Sequence, residues 1–80
     1  MKRLIDCFVQ TFAITSGQVT MKLAYQSIPE WDSVGHMALV SEIENTFNVT
    51  LDTDDIIAMS DVSKAVEILR KHGVVLDDVG

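Results

Sequence analysis

The stretch Asp32-Ser-Val-Gly-His-Met-Ala-Leu-Val-Ser-Glu-Ile-Glu-Asn-Thr-Phe47, DSVGHMALVSEIENTF, carries a strong helical period. Val34, Met37, Ala38, Val40, Ile43 and Phe47 share one broad face, while Ser41, Glu42, Glu44 and Asn45 look outward. That spacing predicts an amphipathic helix from Val34 to about Phe47. Its start is marked by Asp32-Ser33, two residue types whose side-chain oxygens accept the amides left unpaired at a helix amino end. Ser33 therefore has two readings from the outset: it caps the helix, or the helix presents it.

Upstream, Leu4, Ile5, Phe8, Val9 and Phe12 recur at helical spacing and predict a first helix over about residues 2–14, ended by Ser16-Gly17. Cys7 borders its apolar face as a small core residue. Residues 15–32 keep no period and form a long connection, with Val19, Met21, Leu23 and Ile28 available to pin it to the core. Downstream, TDDIIAM predicts a short third helix, with Thr53 as its cap and Asp54 and Asp55 in its positive first turn. Val62, Ala65, Val66 and Leu69 form the inner face of a fourth helix ending near His72-Gly73, with Glu67 and Lys71 as an i,i+4 pair. The tail VVLDDVG is expected to be frayed or loosely docked. The fold class that follows is all-α, a four-helix bundle with a short third helix, arranged as one domain over 1–80 with its core in 1–73 and a tail over 74–80.

Composition narrows the function. Eighty residues leave little room for a catalytic cleft, and 48% hydrophobic residues with one proline exclude disorder and a fibrous repeat. A single cysteine forms no internal disulfide, so a reducing, cytoplasmic setting is expected. Asp6 and Gln10 interrupt what a signal-peptide core requires, and no apolar run approaches the ~20 residues of a membrane span; the expectation is a soluble, unprocessed, monomeric chain. No Lys or Arg occurs from Leu23 to Ser63, whereas Glu30, Asp32, Glu42, Glu44, Asp52, Asp54, Asp55 and Asp61 all lie there. Such a one-signed field repels nucleic acid and attracts basic protein surfaces.

Enzyme chemistry at Ser33 lacks its apparatus. His36 shares a helix face with the serine, but no third group orients it and no G-x-S-x-G elbow surrounds it. Metal binding fares no better, because Cys7, His36 and His72 lack paired ligand spacing and DTDD lacks the glycine of a calcium loop. Both histidines are expected to be structural, with His36 exposed beside the serine and His72 near a helix carboxyl end.

DSVGHMALVSEIENTF, followed by V-x-L-x-x-x-D-I, resembles the acyl carrier protein family, whose hallmark is D-S-[LV] at the start of the second helix. Met37, Val40, Ile43, Phe47, Leu51, Ile56, Val62, Ala65, Val66 and Leu69 continue the likeness, which covers about residues 1–73. The resemblance implies a carrier, not an enzyme. Ser33 would receive a 4′-phosphopantetheine arm from coenzyme A, and the arm's thiol would hold an acyl group as a thioester for partner enzymes of a biosynthetic pathway. It also implies that Asp32 helps engage a magnesium-dependent phosphopantetheinyl transferase. Val34, Met37, Glu42, Glu44, Asp54 and Asp55 would meet the basic docking surfaces of enzymes that load and accept acyl or aminoacyl groups. Ala38 and Glu30 stand where many fatty-acid carriers have glutamate and glycine, which looks more like a stand-alone carrier of specialised metabolism or an aminoacyl or peptidyl carrier. Gly35 is read as removing bulk near the serine to ease a partner's approach, against a helix cost of about 1 kcal/mol relative to alanine. Trp31 is read as folding back as a lid on the bundle. Met37 and Met59 are read chiefly as core packing. The reading from another class is a small acidic helical adaptor that binds proteins non-covalently, with Ser33 only capping.

Overall fold

The computed structural model describes residues 1–76. Four helices account for its regular structure: α1 (Lys2–Phe12), α2 (Ser33–Phe47), α3 (Thr53–Ala58) and α4 (Val62–Lys71), with a single 3-10 turn at Ser16–Gln18. Among the described residues there is no strand, only an isolated antiparallel bridge between Ala24 and Asp61. The all-helical bundle expected from the periodicity is the fold observed.

Each helix begins on an aspartate or at the chain start. Asp32, Asp52 and Asp61 cap α2, α3 and α4, accepting from Gly35 N (2.8 Å), Asp55 N (2.8 Å) and Lys64 N (2.7 Å). Thr53, expected to cap α3, is instead its first helical residue, because the carboxylate one position earlier reaches the third amide of the helix. α1 stops two residues short of expectation: Ala13 takes the left-handed conformation (φ 55) and turns the chain before Ser16.

Leu4, Phe8, Trp31, Leu39, Ile43, Met59 and Leu69 are the largest apolar side chains sealed in the core. The buried stripe of α2 is Leu39, Val40 and Ile43, with half-buried His36 one turn before them. Val34 and Met37, counted on the inner face from their apolar character, are 78% and 50% exposed, and Ala38 is also outward. The polar histidine holds the place in the stripe that apolar counting gives to them.

The connection between α1 and α2 is tied across the molecule. Tyr25 N donates to Ser60 O (2.9 Å) and Val62 N to Leu23 O (3.0 Å), so the backbone pairs with the α3–α4 junction. Leu23 is buried and Val19 and Ile28 pack against the core, but Met21 stays 51% exposed rather than pinning the loop. At the other end of the chain, Leu76 is buried and its carbonyl accepts from the Met1 ammonium (2.5 Å), so the tail is docked through residue 76. The rest of the expected loose tail, 77–80, lies outside the described residues. Cys7 is buried with its Sγ 3.4 Å from Thr46 Oγ1, and burial pushes its thiol up, as suits a core position.

Candidate functional site

Ser33 is the first residue of α2, one position inside its cap. The cap is Asp32, whose Oδ1 accepts from Gly35 N while its carbonyl accepts from His36 N (2.7 Å). Of the two cap types offered by the sequence, the Asp32 carboxylate takes the role and Ser33 does not. Ser33 is exposed, and neither its hydroxyl nor its amide has a hydrogen-bond partner among the described residues. The Val34 amide is likewise unpaired there. Unpaired first-turn N–H groups and the positive end of the helix dipole together favour an anionic group at this point. A phosphodiester on Ser33 fits that environment.

Gly35 is not an opening for a partner. A Cβ at this position would stand 2.1 Å from the Glu30 carbonyl oxygen and 3.2 Å from Phe12 Cε1. The glycine lets the loop before Trp31 lie directly on the first turn of α2, and that contact sets the approach of the chain to Ser33.

Behind this turn lies a chain of polar contacts. Trp31 is fully buried, as expected of a lid, and its ring packs on Phe8 (centroids 5.4 Å apart) and Phe12 (5.5 Å). Its Nε1–H donates to His36 Nδ1 (2.9 Å). Indole nitrogen only donates, so the imidazole is neutral with its proton on Nε2, and that nitrogen donates to Ile56 O (2.8 Å). The Ile56 carbonyl belongs to the last turn of α3, where helix carbonyls run out of backbone partners. His36 thus joins the Trp31 loop, α2 and α3, in contrast to the exposed ring expected.

Beside Ser33 opens a cleft of about 320 Å³. Met37, Ile56, Ile57 and Met59 supply its apolar lining, and Ser33, Tyr25, His36 and Ser60 complete it. Ile57 is 74% exposed at the rim. Of these, the sequence singled out Met37 as a packing and docking residue, Met59 and Ile56 as apolar positions and His36 as structural, but not Tyr25, Ile57 or Ser60; the double isoleucine after two aspartates was the available signal for an apolar face on α3 turned to solvent.

The acidic candidates divide. Asp54 is exposed on α3. Glu42 and Glu44 are half-buried rather than fully outward, and Glu44 Oε2 accepts from Leu51 N (2.9 Å), fixing the turn after α2. Asp55 is 2% exposed, so the exposed docking carboxylate expected at that position is absent. It accepts from Lys71 Nζ (2.5 Å) and His72 Nε2 (2.7 Å), tying α3 to the carboxyl end of α4. Lys71 is thereby taken from the expected pair with Glu67, whose partner is Lys64 (3.4 Å).

The hydrogen bond from Lys71, then that from His72, holds the Asp55 carboxyl down at about 2, and the same contact pushes Lys71 up. A depressed carboxyl stabilises the fold fully above the ordinary aspartate range, and that stabilisation disappears as pH falls through the folded value. Between pH about 4 and pH about 2, denaturant midpoints of the wild type should therefore drop. Asp55→Asn should be less stable at neutral pH and show a shallower drop across the same interval. A variant with the full wild-type slope would place the responsible carboxylate elsewhere.

The chain is 29% identical over 70 residues to the acyl carrier protein of Lactobacillus johnsonii, covering 88% of each chain. That relative is a carrier by name. No family model matches the chain, and no solved structure matches it. The likeness lends support of modest weight to the acyl carrier protein resemblance seen in DSVGHMALVSEIENTF, and it points to a carrier role of a general kind. Among the described residues, no group of three or more His, Cys, Asp or Glu side chains is placed to hold a metal ion, and no helix is long and apolar enough to cross a membrane.

Proposed function

We propose that this protein is an acyl carrier that is modified on Ser33 with a 4′-phosphopantetheine arm. The observation that supports this best is the division of labour at the start of α2: Asp32 caps the helix, which leaves the Ser33 hydroxyl exposed and without a structural task. In the loading step, the Ser33 oxygen attacks the phosphorus of coenzyme A that bears the pantetheine. A P–O bond to serine forms, the pyrophosphate P–O bond breaks, adenosine 3′,5′-bisphosphate leaves, and the hydroxyl proton passes to a base on the transferase. Once attached, the arm supplies a thiol that holds an acyl group as a thioester. The chain's own part is to present the hydroxyl, to set the new phosphate against the Ser33 and Val34 amides, and to offer the cleft beside it.

Exposed Val34, Met37 and Ile57, with Asp54 on the same helix as Ile57, form an apolar patch with an acidic neighbour around the serine. Enzymes with basic docking surfaces, the phosphopantetheinyl transferase first among them, suit that patch, with the charges acting mainly on association rate. A cytoplasmic location and a biosynthetic pathway go with this reading. Incubation with coenzyme A and a broad-specificity transferase should add the mass of one arm to the wild type and none to Ser33→Ala; an equal gain in both would refute the site.

A further inference from the structure

Fully buried Met59 and half-buried His36 both line the cleft beside Ser33, and His36 is the one that stands against the aromatic centre of the bundle. His36 lines the cleft, and immediately behind it lies Trp31, stacked at 6.2 Å between centroids with ring planes 17° apart. Trp31, Phe8 and Phe12 are buried, and none of them lines the cleft. The hydrogen bonds from Trp31 Nε1 to Nδ1 and from Nε2 to Ile56 O draw a polar partition between the cleft and the aromatic centre of the bundle.

We infer that His36 is a positioning residue that closes the inner end of the cleft, so that the group carried at Ser33 is a short acyl chain whose apolar part stays between α2 and α3. This rests on the reading of Ser33 as the attachment point. A chain long enough to enter the aromatic centre must push the imidazole aside and leave the buried indole N–H, and the partly buried Ile56 carbonyl, without their partner. The orphaned indole alone offsets the gain from burying about one to four methylene groups. Chains that fit the cleft gain with each added methylene; longer ones meet the partition and leave their ends in water. The wall is adaptable at its outer side, where Met37 is half exposed, and fixed at its inner side, where both ring nitrogens are engaged.

The test loads Ser33 from acetyl, butyryl, hexanoyl, octanoyl and decanoyl coenzyme A with the transferase, confirms each adduct by mass, and reads the melting temperature. The wild type should gain on the order of 3–6 °C per fully buried methylene at first and then level off within the series, with Trp31 emission unchanged throughout. In His36→Ala the rise should continue to longer chains than in the wild type, and Trp31 emission should respond to the longest. Trp31→Phe keeps a ring in the core but removes the donor that anchors His36; it should also move the plateau outward, and it serves if His36→Ala does not fold. A wild-type rise that continues undiminished through decanoyl, no response to chain length at all, or an identical plateau in wild type and variants overturns the inference while leaving the attachment site standing. Absence of any adduct on Ser33 overturns both.

Discussion

Replacing Gly35 with alanine is expected to destabilise the protein by about 3 kcal/mol, the upper part of the usual range for overpacking. On an exposed helix the same change would stabilise by about 1 kcal/mol, because alanine is the better helix former. The sign is therefore informative. A Cβ at Gly35 would sit 2.1 Å from the Glu30 carbonyl oxygen, and that oxygen is backbone, so no side chain can rotate away to relieve the contact. Either the loop lifts from α2, taking Trp31 out of its contacts with Phe8 and Phe12, or the first turn of α2 unwinds around Ser33. Urea denaturation of Gly35→Ala measures the loss; a variant more stable than wild type would mean that the loop does not rest on the helix.

Ser33→Ala and Asp32→Ala should exchange the effects that a capping serine would give. Asp32→Ala removes the acceptor for Gly35 N and should cost about 1 kcal/mol. Ser33→Ala removes a hydroxyl with no partner among the described residues and should change stability by less than about 0.5 kcal/mol, while abolishing loading from coenzyme A completely. Denaturation curves and intact mass for the pair of variants check both halves. A large stability loss in Ser33→Ala would return the serine to a structural role.

α1, α2 and α4 are legible because each carries its own periodic signal, α3 because two aspartates mark its first turn, and Trp31 and Cys7 sit in the core because large or thiol-bearing apolar side chains seldom find better. What escaped sequence reading was decided by contacts between segments far apart in the chain. Gly35 reads as a local weakness in α2 until the Glu30 carbonyl is seen resting on it. Asp55 has the look of a solvated first-turn acid, and only the return of α4 brings Lys71 and His72 onto it. His36 is polar and so drops out of an apolar count, although its bonds to Trp31 on one side and Ile56 on the other turn it inward, half-buried, one turn before the buried stripe. At the site, Asp32 and Ser33 are both competent caps by residue type. Which of them reaches Gly35 N depends on where the backbone enters the helix, which the loop from Leu23 to Trp31 determines.

Fragmentation mass spectrometry of the protein after incubation with coenzyme A and a phosphopantetheinyl transferase tests the central claim most directly. Presentation of Ser33 as the attachment point predicts a single added phosphopantetheine located on Ser33. Added mass on any other serine, or no added mass on a folded protein under conditions that load a known carrier, would contradict it.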